Sequence, residues 1–158
     1  MSGHARAGRG CLDQTDAAFV DVVTDLLHRG HSVRFRAKGG SMHPTIREGE
    51  AITVAPVKPA TLRRGDVVLY RSARGVTAHR VTRVVRGPQG ALAFIPRGDS
   101  STTRDEAVDQ SAVLGRVVAV ERGGRALDPT GAGAPVLTLL RATAGRVLRW
   151  LRARIGGA

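Results

Sequence analysis

Between residues 33 and 121 the apolar positions fall in short runs, at 33–37, 51–54, 67–70, 76–85, 91–95 and 113–121. These β-type runs are broken by Gly, Pro and Asp, which is the signature of strands. The breaks are strong turn formers: Arg47-Glu48-Gly49-Glu50, Arg64-Gly65-Asp66, Gly87-Pro88 with Gly90, and Gly98-Asp99. The pattern predicts a mainly β body over residues 31–122, arranged as a coiled sheet or partial barrel. Two flanking segments follow a different period. Phe19, Val20, Val23, Leu26 and Leu27 recur at helical spacing, with Asp13 or Thr15 placed to cap and Gly30 to stop, predicting an N-terminal helix within 13–30. Val136, Leu137, Leu140, Ala144, Val147, Leu148, Leu151 and Ile155 share one side of a second predicted helix, over 136–158, with arginines opposite. A Gly/Ala/Pro-rich stretch, 123–135, reads as a linker to it, and residues 1–12 read as a flexible N-terminus.

A chain of 158 residues that is 42% hydrophobic and 24% charged suits one domain with its own core. Charge then adds a question. Lys+Arg 25 against Asp+Glu 13 gives +12, and apart from Lys38 and Lys58 every cation is Arg. Arg141, Arg146, Arg149, Arg152 and Arg154 stand in a tail without acids, so a basic amphipathic helix there would suit an anionic membrane surface. Aromatic residues make up only 3%, which removes the stacking material of many nucleic-acid surfaces, and nucleic acid is disfavoured as a partner.

Cys11 is alone, which excludes an intramolecular disulfide or a cysteine zinc site and points to a reducing compartment. The longest uncharged run, 129–140, is 12 residues, against about 20 apolar residues for a membrane span. Arg6, Arg9, Asp13 and Asp16, with no apolar stretch behind them, do not read as a signal peptide. The expected location is cytoplasmic or peripheral to a membrane. His4, His28 and His31 have no partners at ligand spacing, so no metal and no cofactor is assigned.

The chemistry concentrates in VRFRAKGGSMHPTIREGE, residues 33–50. A strand runs into Gly39 and Gly40, then Ser41, and Pro44 turns the chain. Two glycines before a serine leave the backbone bare, so a substrate strand can approach and backbone N–H groups can face a developing oxyanion. Gly39, Gly40, Met42 and Pro44 are therefore the candidate substrate and oxyanion loop. His43 is expected to face solvent or substrate. Asp66 is expected to stabilise a turn by bonding the backbone two residues on.

Downstream, GDVVLY at 65–70, AHRV at 78–81, PRGDSSTTRD at 96–105 and VLGRVVAV at 113–120 follow in order. Together with Gly40, Ser41, Met42, Pro44 and Thr45, these boxes resemble the signal peptidase I superfamily of serine endopeptidases, whose relatives include the LexA-type self-cleaving repressors. The resemblance spans roughly residues 33–121. It implies a signal peptidase-like β domain, Ser41 as nucleophile and small residues near the cut. His79-Arg80 stands where bacterial signal peptidases and LexA-like proteins place a Lys, so the chain is most similar to the archaeal and endoplasmic-reticulum branch with a His base. In that branch the acid lies six residues after the first Asp of its box, which implies Asp105 as the third member and Asp99 in support. Which of the two serves stays open, and Asp109 is a weaker substitute. Ser100 and Ser101 replace two Asn of the box, and the apolar N-terminal anchor helix of exported-protein peptidases has no counterpart here.

Two function classes follow from this reading. The first is a serine endopeptidase that cleaves a precursor or leader peptide through an acyl-enzyme. The second is a catalytically silent peptidase fold that binds anionic partners, nucleic acid or lipid, through its arginines. A self-cleaving repressor would need a DNA-binding domain that the first 32 residues cannot hold.

Overall fold

The structure, a computed structural model, describes residues 16–131. Helix α1, Ala17–His28, begins where Asp16 accepts the Ala18 N–H at 2.9 Å. The cap is thus Asp16, whereas Asp13 and Thr15, the expected caps, lie outside the described residues. It ends in a Schellman turn: Gly30 takes φ +84°, its N–H donates to Leu27 O, and the His31 N–H donates to Leu26 O. The face turned to the sheet is Val20, Val23, Thr24 and Leu27. Leu26, expected on that face, is exposed, and Thr24 takes a buried place because its hydroxyl donates to Val20 O at 2.6 Å and accepts from Arg71. Phe19 and Phe35 meet edge to face at 5.3 Å.

The strands are β1 (Val33–Arg36), β2 (Ala51–Ala55), β3 (Val67–Ser72), β4 (Gly75–Arg86), β5 (Leu92–Arg97), β6 (Val108–Asp109), β7 (Val113–Arg122) and β8 (Arg125–Leu127). All pair antiparallel in one unclosed sheet of order β1-β2-β7-β3-β4-β5-β6, with β8 on β7. The fold is mainly β, as the run pattern predicts. β6 is too short to show in a periodicity. β8 occupies part of the stretch read as a linker. Gly123 and Gly124, at φ +55° and +73°, form a two-residue hairpin that returns the chain onto β7.

Both faces of the coiled sheet carry a core, which explains the unbroken run at 67–70. Val67 and Leu69 join α1, β1, β2 and β7 in one cluster; Val68 and Tyr70 join Leu62, Val81, Leu92, Phe94 and Val113 in the other. Gly115 permits close layering, since a Cβ there would lie 2.7 Å from Ala55 O. Among the described residues no helix is long and apolar enough to cross a membrane. The predicted basic helix at 136–158 and the N-terminal residues 1–12 lie outside the described residues.

Candidate active site

Ser41 follows the end of β1 on a segment wound into consecutive turns. The His43 N–H donates to Gly40 O at 3.0 Å and the Ile46 N–H to Met42 O at 2.9 Å. Met42 and Ile46 sink into the core and anchor the turns, leaving Ser41 and His43 exposed. Met42, expected in the substrate loop, therefore meets the cleft from its buried side.

On β4, His79 and Arg80 point to opposite faces, as neighbours on a strand must. His79 is buried at 9% exposure, with Nε2 2.9 Å from Ser41 Oγ and Nδ1 hydrogen-bonded to Asp105 Oδ2. A carboxylate only accepts, so Nδ1 carries the hydrogen and Nε2 is left to accept from the Ser41 hydroxyl. The same Asp105 oxygen accepts the Tyr70 hydroxyl at 2.9 Å. Burial, and then the bond to Asp105, push the Tyr70 phenol well above its ordinary range, so it remains a donor through the working pH range. Tyr70 was not among the residues singled out from sequence. Its signal is a polar tip closing an otherwise apolar buried strand, which requires a partner inside.

Asp99 does something else. Arg80 donates Nε to its Oδ1 at 2.8 Å and Nη2 to its Oδ2 at 2.7 Å, and Thr45 Oγ1 donates to the same carboxylate. Arg80 Nη1 also donates to Gly65 O at 2.9 Å and Pro129 O at 3.0 Å. Burial works against the Asp99 charge, but the bonds from Arg80 and Thr45 outweigh it and hold its carboxyl below the ordinary range. Asp99 thus ties the serine segment to β4 and does not meet His79. A second clamp acts from β7. Arg122 pairs with Glu50 and donates Nη2 to Pro44 O at 3.1 Å and Thr45 O at 3.2 Å. Asp109 is engaged locally, accepting from Ser111 N and Oγ. Asp66 does cap a turn, but it accepts the N–H of Arg63, three residues before it.

The loop 98–105 closes on the serine segment. Ser100, in place of the first Asn of the box, donates its N–H to Ser41 O and its hydroxyl to Gly40 O, both at 2.9 Å. A Cβ on Gly98 would lie 2.6 Å from Ser41 O and 3.2 Å from His79 Nε2. Gly98 is therefore the glycine that close packing at this site demands. Gly39 takes φ +78°, and a Cβ on Gly39 or Gly40 would meet nothing within 4 Å, so that side stays open for an incoming chain. A cavity of about 690 Å³ opens there, lined by Ser41, Ile52, Tyr70, His79 and Asp105, and walled by the β3–β4 turn and residues 106–112. That volume suits a stretch of peptide.

The sequence model of the family described as Peptidase S24-like matches residues 1–118. No curated protein matches the chain.

Proposed function

The chain belongs to the Peptidase S24-like family, and from that premise we propose that it is a serine endopeptidase of the Ser-His kind that cleaves a precursor or leader peptide. One observation carries this reading: an exposed Ser41 hydroxyl 2.9 Å from a His79 nitrogen whose opposite nitrogen is held by Asp105, beside an open cleft. Ser41 Oγ attacks the scissile carbonyl as its proton passes to His79 Nε2. The imidazolium formed is stabilised by Asp105 and returns that proton to the departing amine. Water then enters, gives a proton to His79 and hydrolyses the acyl-enzyme, restoring the Ser41 hydroxyl. Tyr70 is a positioning residue, since its hydrogen bond fixes the carboxylate that fixes the imidazole.

Digestion of a peptide library by the purified chain, with products identified by mass, tests the reading. Cleavage at a restricted motif, absent with Ser41→Ala, is the expected result. Equal digestion by wild type and Ser41→Ala would overturn it.

A further inference from the structure

A second concavity, of about 650 Å³, is lined by arginines alone among charged residues: Arg64, Arg80, Arg83, Arg97 and Arg104. Arg83 stands on β4, Arg97 on β5, Arg64 just before β3 and Arg104 on the loop after β5. Arg80 and Arg97 are direct cross-strand partners, a like-charge pairing that destabilises a sheet unless something neutralises it. Asp99 answers Arg80 with both carboxylate oxygens and offers Arg97 only longer-range attraction. Arg64, Arg83 and Arg104 have no hydrogen bond or ion pair from their side chains among the described residues.

Three arginines elsewhere on the sheet are answered by acids. Arg34 pairs with Glu121, Arg116 with Asp66 and Arg122 with Glu50. Asp66, the acid nearest Arg64 in the chain, is committed to the Arg63 N–H and to Arg116. The groove therefore concentrates positive potential in a concave space whose one nearby counter-charge, Asp99, is committed to Arg80. Guanidinium forks match phosphate oxygens two at a time, and several forks around one cavity suit an anion with more than one phosphate charge. A lone phosphate would leave most of 650 Å³ empty.

We propose that this groove binds a multiply charged phosphate group, either free in solution or as the headgroup of a lipid. The site is independent of the peptidase reading, because its lining shares no residue with the Ser41 cleft and none of its four unanswered arginines is hydrogen-bonded to Ser41, His79 or Asp105.

The test is calorimetric titration of the full chain with pyrophosphate at fixed ionic strength, beside flotation with phosphatidylcholine vesicles with and without phosphatidylinositol bisphosphate. Saturable pyrophosphate binding should weaken about 10-fold or more in the double variant Arg83→Gln, Arg97→Gln. Arg125→Gln, on β8, should leave it unchanged. If the double variant melts early, Arg64→Gln with Arg104→Gln, both in loops, repeats the comparison. Acidic vesicles that bind, lose binding in the same variant and are displaced by pyrophosphate identify a headgroup; vesicles that do not bind, or that bind the double variant equally through the basic tail, while pyrophosphate binding depends on the groove, identify a free phosphate. No saturable pyrophosphate binding, pyrophosphate binding unaffected by the double variant, or an equal loss in Arg125→Gln would overturn the proposal.

Discussion

His79 and Arg80 are consecutive residues of one strand, and each holds a carboxylate from the same loop: Asp105 on one face, Asp99 on the other. The two pairs look alike in sequence and differ in what surrounds them. Arg80–Asp99 is closed, with both carboxylate oxygens taken by the guanidinium and the remaining donors spent on Thr45, Gly65 and Pro129. His79–Asp105 is open at one end, because the imidazole keeps a second nitrogen that faces the Ser41 hydroxyl and an accessible cleft. A cation without an acceptor atom can only clamp; an imidazole can take a proton and give it back. The same strand thus builds a fastening and a reactive group side by side.

Breaking the open pair should cost turnover far more than stability. Ser41→Ala and His79→Ala should each lower the rate of peptide hydrolysis by about 10⁴–10⁶-fold while the melting temperature stays near that of wild type. Asp105→Asn should lower it by up to about 10⁴-fold, since an amide favours the wrong imidazole tautomer. Breaking the closed pair should do the reverse. Asp99→Asn, or Arg80→Gln, should cost about 2 kcal/mol in denaturant unfolding, between the values typical of exposed and buried pairs, with turnover falling only as far as the serine segment loosens. If Asp99→Asn instead abolished turnover in a stable protein, the assignment of the two acids would exchange.

Acid sharpens the same contrast. The Asp99 carboxyl is held below its unfolded value, so its contribution to stability is present above about pH 4 and is lost as pH falls through the lowered folded value. Glu50, lowered chiefly by its bond from Arg122, acts in the same direction. Unfolding midpoints measured downward from pH 5 should decline in wild type and decline less in Asp99→Asn. The smallest effect belongs to Tyr70→Phe, which removes one hydrogen bond to a charged acceptor. It should lower kcat about 5–30-fold with KM unchanged. A purely structural role for Tyr70 would lower the melting temperature and leave kcat of the folded protein unchanged.

The strands were legible because Val-rich runs between Gly, Pro and Asp leave few alternatives; that the run at 67–70 is buried on both faces is seen only in the structure. β8 was not, because Gly123 and Gly124 are equally good as linker and hairpin until β7 is there to pair with. At the site, Ser41, His79 and Asp105 stand out from the order of the boxes, and His79 lies within hydrogen-bond reach of the other two. Tyr70 reads only as the end of a strand and Gly98 only as part of a turn, for a common reason: their importance lies in what approaches them across strands, which no local pattern encodes. Leu26 and Thr24 show the opposite failure, where helical spacing is right but a hydroxyl satisfied by its own helix displaces the apolar residue.

Reaction with a fluorophosphonate probe, followed by intact mass and peptide mapping, tests the central claim without knowledge of the substrate. The account predicts one adduct per chain, on Ser41, formed rapidly by wild type and by folded Asp99→Asn and scarcely at all by His79→Ala. An adduct on another residue, or labelling of His79→Ala at the wild-type rate, would contradict it.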